Sequence, residues 1–180
     1  MKNNNNNLSL NIFLSFGSLV FILLVFEIGL RVFSIPGIEM STSKYDDSLG
    51  LYTFTPNTKF IRTNIRNKKI KSKVNSLGYL DREHDRVKKK GFYRIGFFGD
   101  SYVESFQVNL EETFFSIIQD SLENKNVEVF AFGKSGQSPL HSYLVSEKYS
   151  DYFNLDLVVF VFSENDIGDQ VETIKKATSL

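Results

Sequence analysis

After Gly91 the sequence alternates short apolar runs with longer amphipathic ones, and no other feature of the chain constrains its fold as much. Residues 93–98 (YRIGFF), 127–132 (VEVFAF) and 155–162 (LDLVVFVF) have the length and the aromatic and β-branched content of strands. Between them, residues 111–123 carry Phe114, Phe115, Ile117, Ile118 and Leu122 at helical spacing, and residues 139–152 read as a second helix. Strands alternating with helices predict a parallel sheet with right-handed crossovers. The third run is almost continuously apolar, as a strand buried on both faces would be. The expected class is α/β, with about three core strands.

A chain of 180 residues can build one domain with a real core but not two large ones. It has no cysteine, which excludes disulfides, a thiolate metal site and an acylated lipoprotein Cys. Lys and Arg number 21, as do Asp and Glu, and a net charge of zero argues against a dedicated nucleic-acid binder. Only two histidines, His84 and His141, are available for acid–base or metal chemistry.

The amino terminus opens with Met1-Lys2 and five asparagines, and residues 1–7 are expected to be a disordered polar tail. No charge occurs from Leu8 to Phe26, and the apolar run continues past Glu27 and Arg31 to Phe33. About 20 apolar residues span a bilayer, so residues 8–33 are expected to be a single transmembrane signal anchor. No small-x-small cleavage site comes after it, which disfavours a removed signal peptide. Lys2 precedes the span while Arg31 and Lys44 lie beyond it, so the charges do not fix its orientation.

Pro36-Gly37 is expected to end the helix, with residues 38–50 a linker inside a β-rich lead-in over residues 34–90. Residues 51–55 alternate like a strand, and Pro56-Asn57 reads as a turn. Residues 59–73 hold seven Lys and Arg and no acid. Two readings stay open for them: contact with anionic lipid headgroups, or a solvated loop or edge strand guarded by lysines.

In a parallel sheet the carboxyl ends of the strands share one edge, so the residues just after each strand can share a site. Gly99-Asp100-Ser101 leaves the first strand, residues 133–138 (GKSGQS) the second and Ser163-Glu164-Asn165-Asp166 the third. A serine attacking an ester carbonyl creates an oxyanion that needs donors fixed in place. The Ser101 N–H, the Gly136 N–H and the Asn165 amide are candidates, and losing one such donor costs about a hundred- to a thousand-fold in rate.

These residues resemble the sequence blocks of the SGNH (GDSL-like) hydrolase family, which run GDS, a glycine, G-x-N-D and D-x-x-H. Gly99-Asp100-Ser101, Gly136 and Asn165-Asp166 match the first three in order and spacing. Residues 74–81 (VNSLGYLD) and 27–31 (EIGLR) are similar to the lead-in and anchor end of membrane-tethered members. The resemblance implies a flavodoxin-like three-layer sheet, incomplete here and preceded by one transmembrane helix, with residues 91–180 the N-terminal part of the hydrolase domain. It implies Ser101 as nucleophile, Gly136 and Asn165 at the oxyanion, and Asp100 and Asp166 in support, with no cofactor and no metal. The partners implied are an O-acyl ester, such as acetylated carbohydrate, and membrane lipid around the anchor, with no nucleic acid; the domain is expected on the extracytoplasmic side. The oligomeric state stays open.

Two departures qualify this. Ser163 stands where the third block has glycine, and no D-x-x-H occurs, so the expected base is missing. The chain is accordingly expected to be a truncated and nearly inactive hydrolase, its third strand carrying an uncovered apolar edge. His141 is expected to be an ordinary, partly exposed helical residue, and His84, in the charged run 81–86, to be solvated. The rivals are a non-catalytic, membrane-tethered SGNH-like domain that binds a glycan or partner, a receiver-type domain, and metal ligation by Asp100, Glu104 and Asp166.

Overall fold

The computed structural model describes residues 4–32, 43–122 and 125–178. The expectations for residues 1–3, Phe33, Pro36-Gly37, linker residues 38–42 and Glu123 lie outside these. The chain forms two compact units, Met1–Ile38 and Glu39–Leu180.

In the first unit, helix α1 runs Asn4–Val32. The expected disordered tail is therefore corrected for residues 4–7, which are helical. Once an apolar helix has formed, each added residue gains a backbone bond without a new nucleation cost, so polar neighbours can join it. Within α1, Leu10–Gly29 is long and apolar enough to cross a membrane. Its large side chains are exposed, and the Ser18 hydroxyl donates back to the Leu14 carbonyl at 2.6 Å.

The second unit begins with two antiparallel hairpins. β1 (Ser43–Asp46) pairs with β2 (Leu51–Phe54), which corrects the linker expectation for residues 43–46. Asp46 accepts the Ser48 N–H at 2.9 Å and receives Lys148 at 3.2 Å, pinning a turn that ends at Gly50 with φ +66°. β3 (Lys59–Thr63) pairs with β4 (Lys69–Lys73), so the basic run is a hairpin. Asn64 accepts the N–H groups of Arg66 and Lys68 at the turn, and Asn67 takes a left-handed conformation. The hairpin's inner face adds Phe60 to a cluster with Phe54, Val74 and Phe106.

The central sheet is parallel, with β5 (Tyr93–Gly99) between β6 (Val127–Gly133) and β7 (Leu157–Val161). The alternation of β6 sorts two layers. Phe130 and Phe132 join Phe98 against α4 (Pro139–Phe153) through Val145, Tyr149 and Phe153. Val129 and Ala131 face α2 (Ser101–Glu104) and α3 (Phe114–Ser121) through Val103, Phe115 and Ile118. The single helix expected over residues 111–123 is split into a 3-10 turn, Leu110–Glu112, and α3, which Thr113 caps by accepting the Ser116 N–H at 3.2 Å. α5 runs Asp166–Thr178.

Side chains close the outer edge of β6. Gln119 accepts the Val129 N–H at 2.7 Å and donates to the Val127 carbonyl at 2.8 Å, while Asp81 accepts the Ala131 N–H at 2.8 Å. His84 bonds to Asp81 at 3.0 Å and stacks on Phe130 with ring centroids 3.9 Å apart. The expectation that His84 is solvated is thus corrected: its side chain is only 10% exposed, because its carboxylate partner is needed at the strand edge. At the amino end of the sheet Arg94 is fully buried. Its guanidinium reaches Glu128 at 2.6 Å and the carbonyls of Asp85, Arg86, Val87 and Phe153.

Candidate functional site at the strand ends

β5, β6 and β7 finish level, with Gly99 paired to both Gly133 and Val161, so their exit loops share one rim. Gly133 permits this closeness. A Cβ there would strike the backbone joining Val103 to Glu104 and lie 2.7 Å from the Val103 Cβ, so α2 can sit over the end of β6 only above a glycine.

Asp100 is the node of the rim. Only 1% exposed, it caps α2 by accepting the Tyr102 N–H at 3.1 Å. Its Oδ2 also accepts from Asn165 Nδ2 at 3.0 Å, the Ser163 hydroxyl at 3.0 Å and the Ser101 hydroxyl at 3.3 Å. Burial pushes the Asp100 carboxyl up, but the Tyr102 N–H, Asn165, Ser163 and the Ser101 N–H together outweigh burial and hold it below its ordinary value. Asp100 is therefore an ionised clasp and a poor proton acceptor.

Ser101, the first residue of α2, is exposed. The loop after β7 is tied twice, by Asn165 to Asp100 and by Asp166, which accepts the Ser163 N–H at 2.6 Å. The structure thus joins Asp100, Ser101, Asn165 and Asp166 in one cluster, Ser101 through Asp100 and Asp166 through Ser163. Tyr102, Phe162, Ser163, Glu164 and Asn165 line an open depression on the rim.

Gly136 lies in the neighbouring loop, and its place on the rim derives from the sheet register. Its φ of +78° is the left-handed region that glycine enters without strain, and the space a Cβ would fill is open. The Gln137 N–H closes the turn on the Lys134 carbonyl at 3.1 Å, and Glu104 accepts the Ser135 N–H. Glu104 and the Ser163 hydroxyl are working parts of the rim that the motifs do not mark. A carboxylate on the last turn of the helix that starts at Ser101 was the one available sign of the first. Gln137 is 4% exposed, and neither end of its amide has a hydrogen-bond partner among the described residues.

Both histidines have partners other than Ser101. His84 is engaged with Asp81 and Phe130. His141 accepts the Ser138 N–H on Nδ1 at 3.1 Å, completing the capping box of α4 and leaving the proton of the neutral ring on Nε2. Among the described residues no three His, Asp or Glu side chains are placed to hold a metal ion. Asp100, Glu104 and Asp166 instead serve separate backbone N–H groups, those of Tyr102, Ser135 and Ser163.

Fold and rim define an α/β protein with a serine–carboxylate–amide cluster at the carboxyl edge of a parallel sheet. No protein-family model matches the sequence, and no curated protein matches it.

Proposed function

We propose that the rim is an acyl-transfer site of SGNH type, carried on a chain that α1 tethers in a membrane. The observation behind this reading is the Asp100 node, which gathers the Ser101 hydroxyl and the Asn165 amide from two strand ends onto one carboxylate. The order β6-β5-β7 is also the order that opens a flavodoxin-like sheet. Ser101 Oγ attacks the carbonyl of an O-acyl ester, with O-acetylated carbohydrate the favoured class, and passes its proton to a base. The Ser101 N–H, Gly136 N–H and Asn165 amide stabilise the oxyanion. The alcohol leaves, and water or a sugar hydroxyl then takes the acyl group from the serine. The catalytic unit lies on the extracytoplasmic side.

Among the described residues, Asp100 is held below its ordinary value and both histidines bond to partners other than Ser101, so none of the three is set to act as the base. Loss of the base from such a unit costs up to about a million-fold. The test is p-nitrophenyl acetate turnover with and without added imidazole, which can replace a missing histidine. Weak turnover that imidazole raises above its own protein-free rate in the native chain but not in Ser101→Ala supports the reading. Turnover indifferent to Ser101→Ala sinks it. The engagement of both histidines also favours a second reading, a non-catalytic binding domain, which predicts saturable glycan binding that Ser101→Ala leaves intact.

A further inference from the structure

We infer that the outer face of the β3–β4 hairpin docks on anionic lipid headgroups. The pleat turns Phe60 and Ile70 inward, both buried, and leaves Lys59, Lys69, Lys71 and Lys73 exposed. Register gathers those four on one face, pairing Lys59 with Lys73, Ile61 with Lys71 and Thr63 with Lys69. Like charges directly across an antiparallel pair repel, and none of the four lysines has an ion pair among the described residues. Lys68, by contrast, is satisfied by Glu112 and is not counted in the face. No acidic residue occurs between Asp47 and Asp81 to offset the charge.

Two apolar side chains select a bilayer over a purely polar polyanion. Ile61, 44% exposed, sits among the lysines, and Ile65, 91% exposed, is in the turn that joins the strands. Cations ringing protruding apolar groups match the headgroup boundary, where charge meets phosphate and the isoleucine reaches acyl carbon. The inference rests in part on the proposed tether, because an anchored chain holds the hairpin near lipid at high effective concentration. Each lysine brought to an anionic surface strengthens binding by about fivefold.

The absence of cysteine makes a clean test possible. The full chain with Ile65→Cys, labelled with an environment-sensitive fluorophore, is placed in nanodiscs of phosphatidylcholine with or without phosphatidylglycerol. The expected result is brighter, blue-shifted emission in the anionic discs alone, erased by high salt and by Lys69→Glu/Lys71→Glu/Lys73→Glu, which weakens binding by about a hundredfold or more. The salt arm needs no refolded variant. Equal emission in both discs overturns the inference, as does binding of heparin without any response to phosphatidylglycerol. If the chain does not enter discs, the tether reading fails by itself, and titrating the same labelled protein with anionic and neutral vesicles still decides the hairpin.

Discussion

Asn165 donates its side-chain amide to Asp100 at 3.0 Å, and through that bond the loop leaving β7 is held against the first turn after β5. The acceptor is ionised and almost fully buried, so the bond is charge-assisted in a weakly screening environment. One carboxylate caps a helix, orients the Ser101 hydroxyl and clasps a loop from a different strand. Asp100→Ala removes the cap and the clasp together. It is expected to cost about 2–4 kcal/mol in urea denaturation, the sum of a typical cap and a charged hydrogen bond.

Asp100 also sets a pH dependence. Its folded-state pKa lies below the unfolded value of about 4, so its contribution is complete above that value and is lost as pH falls through the folded pKa. Asp100→Asn is expected to flatten the acid limb of the stability profile while the neutral region shifts without changing slope. Denaturation midpoints across the acid range read this, and an unchanged acid slope refutes it.

Gly133 is a second fixed point. Alanine there drives a methyl into the backbone of α2, and no rotamer can relieve a clash made by Cβ itself. Gly133→Ala is expected to lose about 1–3 kcal/mol and to displace Ser101 with the helix that begins at it. Gly136→Ala meets no steric obstacle and carries only the smaller penalty of a left-handed alanine. Thermal denaturation of the two variants side by side separates close approach from conformational strain.

The sequence exposed those features that period and spacing encode. The three sheet strands read clearly as short runs of aromatic and β-branched residues and α4 as the helix between the last two, and strand succession predicts that their exits share an edge. Tertiary demands were hidden. The run containing Asp81 and His84 looks solvated until the Ala131 N–H, far along the chain, is seen to need Asp81 as its acceptor. The basic segment left loop and strand open because seven cations mask the inward pair Phe60 and Ile70. In the rim, GDS and N-D mark Asp100, Ser101, Asn165 and Asp166, whereas no motif marks Ser163, and Glu104 carries only the sign of a carboxylate one turn after Ser101.

Arg94 answers to the opposite end of the sheet. All its guanidinium bonds end on Glu128 or on carbonyls from the lead-in and the end of α4. Arg94→Leu strands those acceptors and leaves Glu128 without its partner, so a loss of about 3–5 kcal/mol is expected. A loss under about 1 kcal/mol in chemical denaturation would show that water replaces the guanidinium.

Gln137 presents the reverse case, a buried amide that gains nothing from the described residues around it. Unsatisfied polar groups of this kind cost about 1–3 kcal/mol, so Gln137→Leu is expected to raise the unfolding midpoint. If the variant instead loses binding of an acyl-ester ligand at unchanged stability, the amide serves the substrate.

Glu104 links the helix that starts at Ser101 to the loop that holds Gly136, because its carboxylate accepts the Ser135 N–H from the last residue of α2. A four-residue helix therefore has the expected nucleophile at one end and the loop's restraint at the other. Glu104→Ala leaves the Ser135 N–H without its acceptor, and amide hydrogen exchange at Ser135 is expected to accelerate by about ten- to a hundredfold, the loss of one charge-assisted bond. Glu104→Gln keeps an acceptor oxygen and should restore most of the protection. Faster exchange spreading through β6 in either variant would mean that Glu104 supports the sheet as a whole, while exchange unchanged in both would show that the loop holds its shape without Glu104.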